Sequence, residues 1–518
     1  MGRYREQIAR ATMIVALAVV ANKVLVFVLE ILLAAWFGTT FVKDAYLVAL
    51  VIPNLIFMVG IEAITVTFVP LLMGLFSKEK DEEVQSVVSS IVNVVVVSLS
   101  LISGLYIVLA PRIIPLIAPG FTPENLALAV RLTQILSPII VWGGLIGLLV
   151  GILNSYKRFA LAVLRLAVHN LIVIGFVYYL RLRWGIFSLA LAVSGASLLQ
   201  IVPLSLGLWE KRGSYRLTMN IKHPEVTGMG MAMIPVVLGA TLTQLNFLIE
   251  RIMASGLSEG SISSLDFGYK LMRLPFEVFA VAIATVIFPS IAGLVIAQEG
   301  SRLREVFISA LRVTAFITLP AAVILMVLRV PLISMLFERG QFNAVSTRMT
   351  ATALFYYSWG LFFHGVNYIA IRTYYAFKDY KTPLKMGLVT IGVYILLSAI
   401  LVRYLAHGGL ALGCSLAAMC YTAMLLGNLK TKIEDLQAHA LLKPLVKIVA
   451  ASALMAAAVI VVGRIPIYSP VLKPALALGV GLLTFGVACF LLRIAEATQV
   501  LKVSGELVKK IPLVRLRG

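Results

Sequence analysis

Apolar residues along this chain occur in long continuous runs, separated by short polar stretches. Each run has roughly 20 to 30 residues, enough for a helix to cross an apolar layer about 30 Å thick. The runs do not alternate with a period of two, so they do not favour the strands of a β-barrel. We predict an all-α polytopic membrane protein. Its fourteen predicted spans lie near residues 11–37, 44–74, 86–110, 127–153, 158–180, 184–208, 228–254, 265–296, 308–328, 346–375, 384–404, 408–429, 444–463 and 473–493.

Composition agrees with this pattern. The chain is 61% hydrophobic and 13% charged, with a mean hydropathy of +1.00, far outside the range of a soluble domain. Its net charge of +21 is spread among the loops rather than gathered in a basic patch with aromatic residues, so we expect no nucleic-acid partner. The positive-inside rule places both termini in the cytoplasm. The first apolar run is too long for a cleaved signal peptide and should be retained.

The two halves of the chain resemble each other at a constant offset. Asp44 precedes Pro53 by nine residues, as Asp266 precedes Pro275, and two further motif pairs show a similar separation of about 220 residues. These repeats predict two six-helix lobes around a central cavity, residues 1–217 and 218–430. Residues 431–518 would add helices 13 and 14 and a basic cytoplasmic tail, which either lies on the membrane surface or is solvated.

Charged and amide side chains inside the apolar runs are candidate site residues. A buried ion in hydrocarbon costs about 2.5 to 3.5 kcal/mol, so such residues are retained for a reason. They are Asn22, Lys23, Glu30, Asn54, Glu62, Glu250, Arg251, Lys270, Arg273, Glu277 and Arg372. We predict substrate binding by Lys23, Glu30, Asn54, Glu62, Arg251, Lys270, Arg273 and Arg372. Arg372 lies near a span end, so it could instead reach the interface.

Spacing places several of these charges on one helix face. Lys23 and Glu30 are seven residues apart in span 1, and span 8 carries Asp266, Lys270, Arg273 and Glu277 at intervals of four, three and four. Two cations one turn apart repel each other, so we expect an anion between Lys270 and Arg273. Phosphate or pyrophosphate fits this chemistry. The alternative is that the ions pair with one another and lock the bundle.

Other residues suggest mobility or simple packing. Pro53, Pro235 and Pro275 lie inside spans and predict kinks, which serve either as hinges or as static bends. We expect His169, Asn170, His364 and Asn367 to form interhelical hydrogen bonds rather than a proton relay or metal site. Cys414, Cys420 and Cys489 read as core residues. The sequence has no nucleotide-binding, HExxH or hydrolytic motif, so we expect a transporter rather than an enzyme.

The ordered motifs resemble the MurJ/MviN lipid flippases of the multidrug/oligosaccharidyl-lipid/polysaccharide exporter superfamily. The matching motifs cover about 400 residues of the core. They include Phe37-Gly38, Asp44-Ala45, Pro53-Asn54 with Glu62, Ala118-Pro119-Gly120-Phe121, Tyr269 to Pro275, Phe337 to Phe342 and Arg372 to Pro383. The resemblance implies alternating access and export of lipid II, a polyprenyl-pyrophosphate-linked peptidoglycan precursor, across the bacterial inner membrane. It also implies that spans 13 and 14 form a groove for the lipid tail.

The chain departs from that family at two positions. Expected arginines in spans 1 and 2 fall on Leu29 and Phe57, while Lys23, Glu30 and Lys270 keep the family's charge type. The substrate could therefore be another lipid-linked oligosaccharide, and a multidrug-type antiporter is a more distant alternative. We expect a monomer that contacts membrane lipids and needs no cofactor beyond a coupling ion, sodium or proton, or the membrane potential.

Overall fold

The computed structural model describes residues 2–78, 81–156, 158–208, 215–433, 438–466, 469 and 472–497. Within these ranges the chain is helical and has no strand. The helices are α1 Gly2–Phe37, α2 Phe41–Lys78, α3 Asp81–Ile117, α4 Pro123–Leu136, α5 Ile139–Ser155, α6 Phe159–Trp184, α7 Ile186–Leu199, α8 Ile201–Leu206, α9 Pro224–Ala254, α10 Ser261–Pro275, a π-helical segment Phe276–Ala280, α11 Val281–Ile296, α12 Gly300–Val327, α13 Arg329–Phe337, α14 Ala344–Ser358, α15 Leu361–Ala376, α16 Lys381–Leu405, α17 His407–Leu429, α18 Ala438–Arg464 and α19 Leu472–Leu491.

The predicted membrane spans are confirmed as helices. Thirteen stretches among the described residues are long and apolar enough to cross a membrane. The remaining predicted span, 346–375, folds as α14 and α15, which are separated by a turn at Trp359 and Gly360. A Cβ at Gly360 would lie 2.8 Å from the hydroxyl of Ser415, so this glycine allows α17 to approach. That hydroxyl donates to the carbonyl of Tyr356 at the break.

The helices form two compact units. Unit 1 comprises Met1–Ser263 with Arg339–Asn343, and unit 2 comprises Ser264–Glu338 with Ala344–Gly518. In unit 1, α2 packs on α4, α5 and α9, and a buried cluster around Phe68, Leu72 and Ile91 fills part of its core. Helix α9 therefore packs within unit 1, although it follows the repeat boundary predicted at 217/218. That boundary rests on sequence similarity and stays a prediction.

Unit 2 holds the last two predicted spans. Helices α18 and α19 pack on each other, and α18 packs on α12. Buried residues of this cluster include Ile448, Met455 and Phe485. Lys447 donates from its ammonium to the carbonyl of Leu492 over 2.8 Å, which caps the end of α19. The predicted surface tail beyond residue 497 lies outside the described residues, as do residues 434–437 of the preceding linker.

A carboxylate fixes the start of α16 in unit 2. Asp379 accepts hydrogen bonds from the backbone N–H of Thr382 at 3.1 Å and from its hydroxyl at 2.8 Å. The ammonium of Lys432 lies 3.0 Å from the same carboxylate. Burial alone raises the pKa of Asp379, but these hydrogen bonds and the charge of Lys432 outweigh it and lower the pKa to about 2.

This cap predicts a pH dependence of stability. Because the folded-state pKa of Asp379 lies below its ordinary 3.8, its contribution is present above about pH 4 and is lost as the pH falls toward 2. We expect Asp379→Asn to lower thermal stability at pH 7 by about 1 kcal/mol or less, since surface pairs contribute little. Melting curves of detergent-solubilised protein between pH 7 and 3 measure this. An equal acid-induced loss in the variant and the parent would contradict it.

Candidate functional site

The predicted site residues of unit 1 lie on α1 and α2. Lys23 is exposed on α1 and Glu30, two turns further along, is half-buried. On α2, Asn54 is half-buried and Glu62 is exposed. The structure therefore distributes these groups along two helices of one unit. Their role in substrate binding stays a prediction.

The two departures from the family pattern are apolar in their surroundings as well. Leu29 is 9% exposed, one position before Glu30 on α1. Phe57 packs closely on α5, where a Cβ at Gly143 would lie 2.6 Å from its ring. A hydrophobic contact between α2 and α5 therefore occupies the position at which the family pattern places an arginine.

Arg251 on α9 is held inside unit 1 by protein groups. Its guanidinium lies 2.9 Å from the carboxylate of Glu250, and both residues are buried. It also donates to the carbonyl of Ile262 over 3.3 Å. A buried ion pair with an added hydrogen bond fixes the chain that leads from α9 into α10. These contacts account for the burial of Arg251 without a ligand.

A reciprocal pair of helix caps joins the starts of α2 and α10; we name it the Asp44 latch. Asp44, in the first turn of α2, accepts hydrogen bonds from the N–H of Gly260 at 2.8 Å and of Ser263 at 2.7 Å. The hydroxyl of Ser263 donates to the same carboxylate. In return, Glu259 accepts from the N–H of Phe41 over 2.9 Å. Each acid thus satisfies the free N–H groups of the other helix.

Glycines let the backbones approach at this end of unit 1. Gly260 has φ +81°, and a Cβ there would lie 2.4 Å from the carbonyl oxygen of Thr39. Gly340 has φ +59° and would place a Cβ 2.2 Å from the carbonyl oxygen of Ala35. The N–H of Gln341 donates to the same carbonyl over 2.9 Å. The loops that follow α1, α9 and α13 are therefore in direct backbone contact around the latch.

The latch borders a cavity of about 410 Å³. Its lining includes the carboxylates of Asp44, Glu124 and Glu259, together with Ser255 and Asn125. Three acids disfavour a phosphate or any other anion. This cavity therefore does not fit the predicted anionic ligand.

In unit 2, the charges of α10 pair along their own helix. The ammonium of Lys270 lies 2.8 Å from Asp266, and the guanidinium of Arg273 lies 3.1 Å from Glu277. The alternative that these ions pair with one another is therefore realised on this helix, because each cation has a carboxylate one turn away. Both side chains remain about 40% exposed, at 42% and 39%, and can still meet a ligand.

Cations and aromatic rings alternate from α10 to α15; we name this set the ladder, and it comprises Tyr269, Arg273, Phe276, Tyr368 and Arg372. The guanidinium of Arg273 lies 5.7 Å from the ring centroids of both Tyr269 and Phe276. The rings of Phe276 and Tyr368 meet edge to face at 5.7 Å. Cation–π contacts hold the guanidinium beside these rings, and its fork of N–H donors suits a carboxylate or phosphate ligand.

Arg372 forms the far end of the ladder. It donates to the hydroxyl of Tyr368 over 2.8 Å and to that of Thr285 on α11 over 3.1 Å. Its guanidinium also lies 4.6 Å from the ring centroid of Tyr368. These contacts hold Arg372 against α11, and its alternative role at the interface stays a prediction.

The predicted kinks differ in form. Pro53 and Pro235 lie inside α2 and α9, which continue through them as α-helices. Pro275 ends α10 and is followed directly by the π-helical segment Phe276–Ala280. A π segment widens the helix by one residue per turn and is common at functional sites. It here carries Phe276 and Glu277, so the local distortion lies within the ladder.

Most of the predicted interhelical hydrogen bonds are present. Asn170 donates to Asn22 over 2.9 Å, Gln200 meets His169 at 3.0 Å, and Asn367 donates to the carbonyl of Ala418 over 3.0 Å. His364 differs, since its Nε2 is buried without a hydrogen-bond partner among the described residues. Its ring lies 6.5 Å from that of Phe276, beside the ladder.

Sequence reasoning missed a buried cation in unit 1. Arg165 on α6 is 9% exposed and donates to the side-chain carbonyl of Gln200 over 2.7 Å. Its position seven residues into a predicted span was a sufficient signal, because an intramembrane arginine is a candidate by default. The aromatic members of the ladder were missed for another reason, since aromatic residues are common in every span.

Groups that could hold a metal are not found within the described ranges: no set of three or more His, Cys, Asp or Glu residues has suitable geometry. The identity and presence of a coupling ion therefore stay a prediction.

Comparison with known proteins places this arrangement in a family. A family model described as lipid II flippase MurJ matches residues 33–478. A protein named lipid II flippase MurJ from Burkholderia cenocepacia is 29% identical over 77% of this chain and 78% of its own length. A probable lipid II flippase MurJ from Buchnera aphidicola subsp. Acyrthosiphon pisum is 30% identical over 82% of this chain and 84% of its own length.

Solved structures agree. A lipid II flippase MurJ in an inward closed conformation has a TM-score of 0.81 and 25% identity, covering 93% of this chain and 99% of that structure. An inward-facing multidrug transporter of the MATE family has a TM-score of 0.65 at 14% identity, covering 79% of this chain and 99% of its own, and shares the fold alone. On the family match and the structural likeness together, this chain belongs to the lipid II flippase MurJ family.

Proposed function

We propose that this protein is a flippase that moves lipid II from the inner to the outer leaflet of the bacterial inner membrane. Family membership supplies the class of activity. The ladder is the observation that carries the substrate chemistry, because guanidinium groups held beside aromatic rings, together with a half-exposed lysine, suit a pyrophosphate. Lys270 and Arg273 then bind the head group from α10, and Arg372 binds it from α15.

Residues of unit 1 are further proposed to bind the substrate. Lys23 on α1 is exposed and supplies a further cation, while Asn54 on α2 can hydrogen-bond a sugar or peptide group. Glu30 and Glu62 either take part in coupling or only pair with other charges. Glutamine at either position tests whether the negative charge is needed for coupling.

Alternating access gives the Asp44 latch a mechanical role in this proposal. The latch joins α2, in the predicted first lobe, to the loop before α10, in the predicted second lobe. With the N-terminus inside, both elements start on the outer side of the membrane. Release of lipid II to the outer leaflet then requires these hydrogen bonds to break, while Pro53, Pro235 and Pro275 provide bends about which the helices can move.

The proposed driving force is either a coupling ion, sodium or proton, or the membrane potential. A charge that crosses the field gains about 2.3 kcal/mol per 100 mV. We further propose that both termini lie in the cytoplasm, as the distribution of lysine and arginine among the loops suggests. We also propose that the protein acts as a monomer.

A different lipid-linked oligosaccharide is the second candidate substrate. Leu29 and Phe57 favour it, because two arginines of the family pattern are replaced by packed apolar side chains. A multidrug-type antiporter has less support, since the likeness to such transporters is one of fold.

Complementation and binding together test the proposal. We expect this chain to restore growth when expressed in a bacterium depleted of its lipid II flippase. Purified protein should bind lipid II more tightly than a polyprenyl-pyrophosphate with an unrelated glycan. Rescue of a strain that lacks a different glycan-lipid flippase, without rescue of the first, would assign the second candidate instead.

A further inference from the structure

A second cavity opens on unit 1, away from the ladder and the Asp44 latch. It has a volume of about 430 Å³ and lies between α3 and α9, with α2 as its third wall. Its lining is almost wholly apolar and includes Val59, Ile91, Val95, Met233 and Val237. We name it the α3–α9 cleft. A cavity of this size and character suits a hydrocarbon chain.

The cleft has the length of one leaflet. Its lining on α9 runs from Val226 to Thr241, about 22 Å at the helical rise, and on α3 from Ile91 to Ile102, about 16 Å. Half of the apolar layer of a bilayer is about 15 Å thick. Val226 lies near the start of α9, so one end of the cleft is close to the membrane surface at which α9 begins.

The segment that leads into α9 lies at that end; we name residues 215–222 the strap. Backbone and side chains tie it to α3 between Ser89 and Asn93. The N–H of Arg216 donates to the hydroxyl of Ser89 over 3.0 Å, and the amide of Asn93 donates to the carbonyl of Thr218 over 2.8 Å. The strap is thus fixed in place beside the mouth of the cleft rather than detached from the unit.

The strap presents exposed apolar residues and two cations. Leu217 is 91% exposed, and Met219 and Ile221 are also exposed. Arg216 and Lys222 are exposed along the same segment, and Glu225 in the first turn of α9 offsets one of these charges. Apolar groups that enter the acyl layer beside cations at head-group level are typical of anionic-lipid binding.

We propose that the α3–α9 cleft and the strap together bind one anionic phospholipid. An acyl chain occupies the cleft, and the phosphate lies against Arg216 and Lys222. The leaflet-length apolar wall fits the chain, and the cations at its end complement the head group. This inference is independent of the proposed transport substrate, since it uses neither the ladder nor the latch.

Two glycines make the cleft testable. Gly60 and Gly230 line it, and a Cβ built on either meets no atom within 4 Å. A larger side chain there fills the cleft without striking the protein. Gly228 lies two residues before Gly230 on α9. Its surroundings are equally open, but it does not line the cleft. Gly230→Leu and Gly228→Leu therefore form a matched pair, equal in helix propensity and added bulk.

Native mass spectrometry of the full-length protein in detergent measures the lipid that it retains. We expect one phosphatidylglycerol to remain bound, about tenfold in preference to phosphatidylcholine, as for one charge-assisted contact. Gly230→Leu should lower this retention about tenfold, and Gly228→Leu should leave it unchanged. Arg216→Ala with Lys222→Ala should remove the preference for phosphatidylglycerol while the chain still enters the cleft.

Several results would overturn the proposal. Equal phosphatidylglycerol retention by wild type and Gly230→Leu would show that the cleft holds no acyl chain. Equal retention of both phospholipids by wild type would remove the role of the cations. Displacement of phosphatidylglycerol by undecaprenyl pyrophosphate, with the same dependence on Gly230, would assign the cleft to a polyprenyl tail instead. Because no outcome measures transport, failure here leaves the proposed flippase function to its own test.

Discussion

Alanine in place of Lys270 is expected to abolish rescue of a flippase-depleted bacterium while the protein still accumulates in the membrane. Lys270 pairs with Asp266 on its own helix, but its side chain is 42% exposed, and such a pair adds about 0.5 kcal/mol or less to stability. Loss of a charge-assisted hydrogen bond to a phosphate costs about 1.5 to 3 kcal/mol, a factor of ten to a hundred in binding. The loss should therefore appear in substrate binding rather than in folding.

Growth rescue, the amount of protein in the membrane and binding of purified lipid II are the three measurements. Lys270→Arg should retain function, because it keeps the charge. Lys385→Ala, which removes an exposed lysine near the start of α16, is the matched control and should be silent. Lys23→Ala should resemble Lys270→Ala.

A double variant separates the two explanations for Lys270. If the lysine serves only to neutralise Asp266, then Asp266→Asn combined with Lys270→Gln should restore function, since both charges are removed together. If Lys270 binds the substrate, the double variant should stay inactive. Full rescue by the double variant would contradict the role of Lys270 in binding.

Asparagine in place of Asp44 is expected to open the latch. Asp44 is 4% exposed and accepts from two backbone N–H groups and a hydroxyl, and an amide cannot accept all of them. A buried donor left without a partner costs about 1 to 3 kcal/mol, so the closed arrangement should become about ten times less favoured. In a flippase that works by alternating access, this shifts the balance of states and slows transport.

Cysteine labelling measures that shift. Ser261 is fully buried beside the latch, so Ser261→Cys, in a chain whose three native cysteines are replaced by alanine, reports its opening. A membrane-impermeant maleimide should label this cysteine about ten times faster when Asp44 is asparagine. Glu259→Gln should have little effect, because the amide oxygen still accepts from Phe41. Equal labelling rates in the Asp44→Asn variant and its parent would contradict the latch.

Glycine substitutions provide an independent check on the same element. Gly260→Ala places a Cβ 2.4 Å from the carbonyl oxygen of Thr39 in a left-handed backbone, so it should also increase labelling of Ser261→Cys. Gly256→Ala, four residues earlier, meets no atom within 4 Å and should not.

Sequence patterns predicted the membrane helices and the family, because both depend on hydrophobic runs and on ordered local motifs. The interruption at Trp359 and Gly360 was not predicted, since residues 349–371 contain no proline and no Lys, Arg, Asp or Glu, and the break accompanies the approach of Ser415 from α17. The pattern of apolar runs along the chain indicates which segments lie in the membrane. It does not indicate where two helices must approach each other closely.

Site chemistry was predicted less completely. The four charges of α10 were predicted to share one helix face. The choice of ion-pair partner among them depends on side-chain rotamers, and the structure pairs Lys270 with Asp266 and Arg273 with Glu277. Asp44 was recognised as a repeat marker, whereas its partners lie 216 and 219 residues away and no local pattern identifies them. For Arg165 the opposite holds, because an arginine inside a predicted span already marks a candidate site residue in the sequence.

The reciprocal caps on α2 and α10 also constrain how the protein is made. Translation adds roughly 5 to 20 residues per second, so the start of α2 waits on the order of ten seconds or more before Gly260 and Ser263 are synthesised. During that interval the carboxylate of Asp44 and the first N–H groups of α2 depend on water or on lipid head groups. Nascent chains that end before residue 260 therefore lack both partners of Asp44 and leave this corner unfinished.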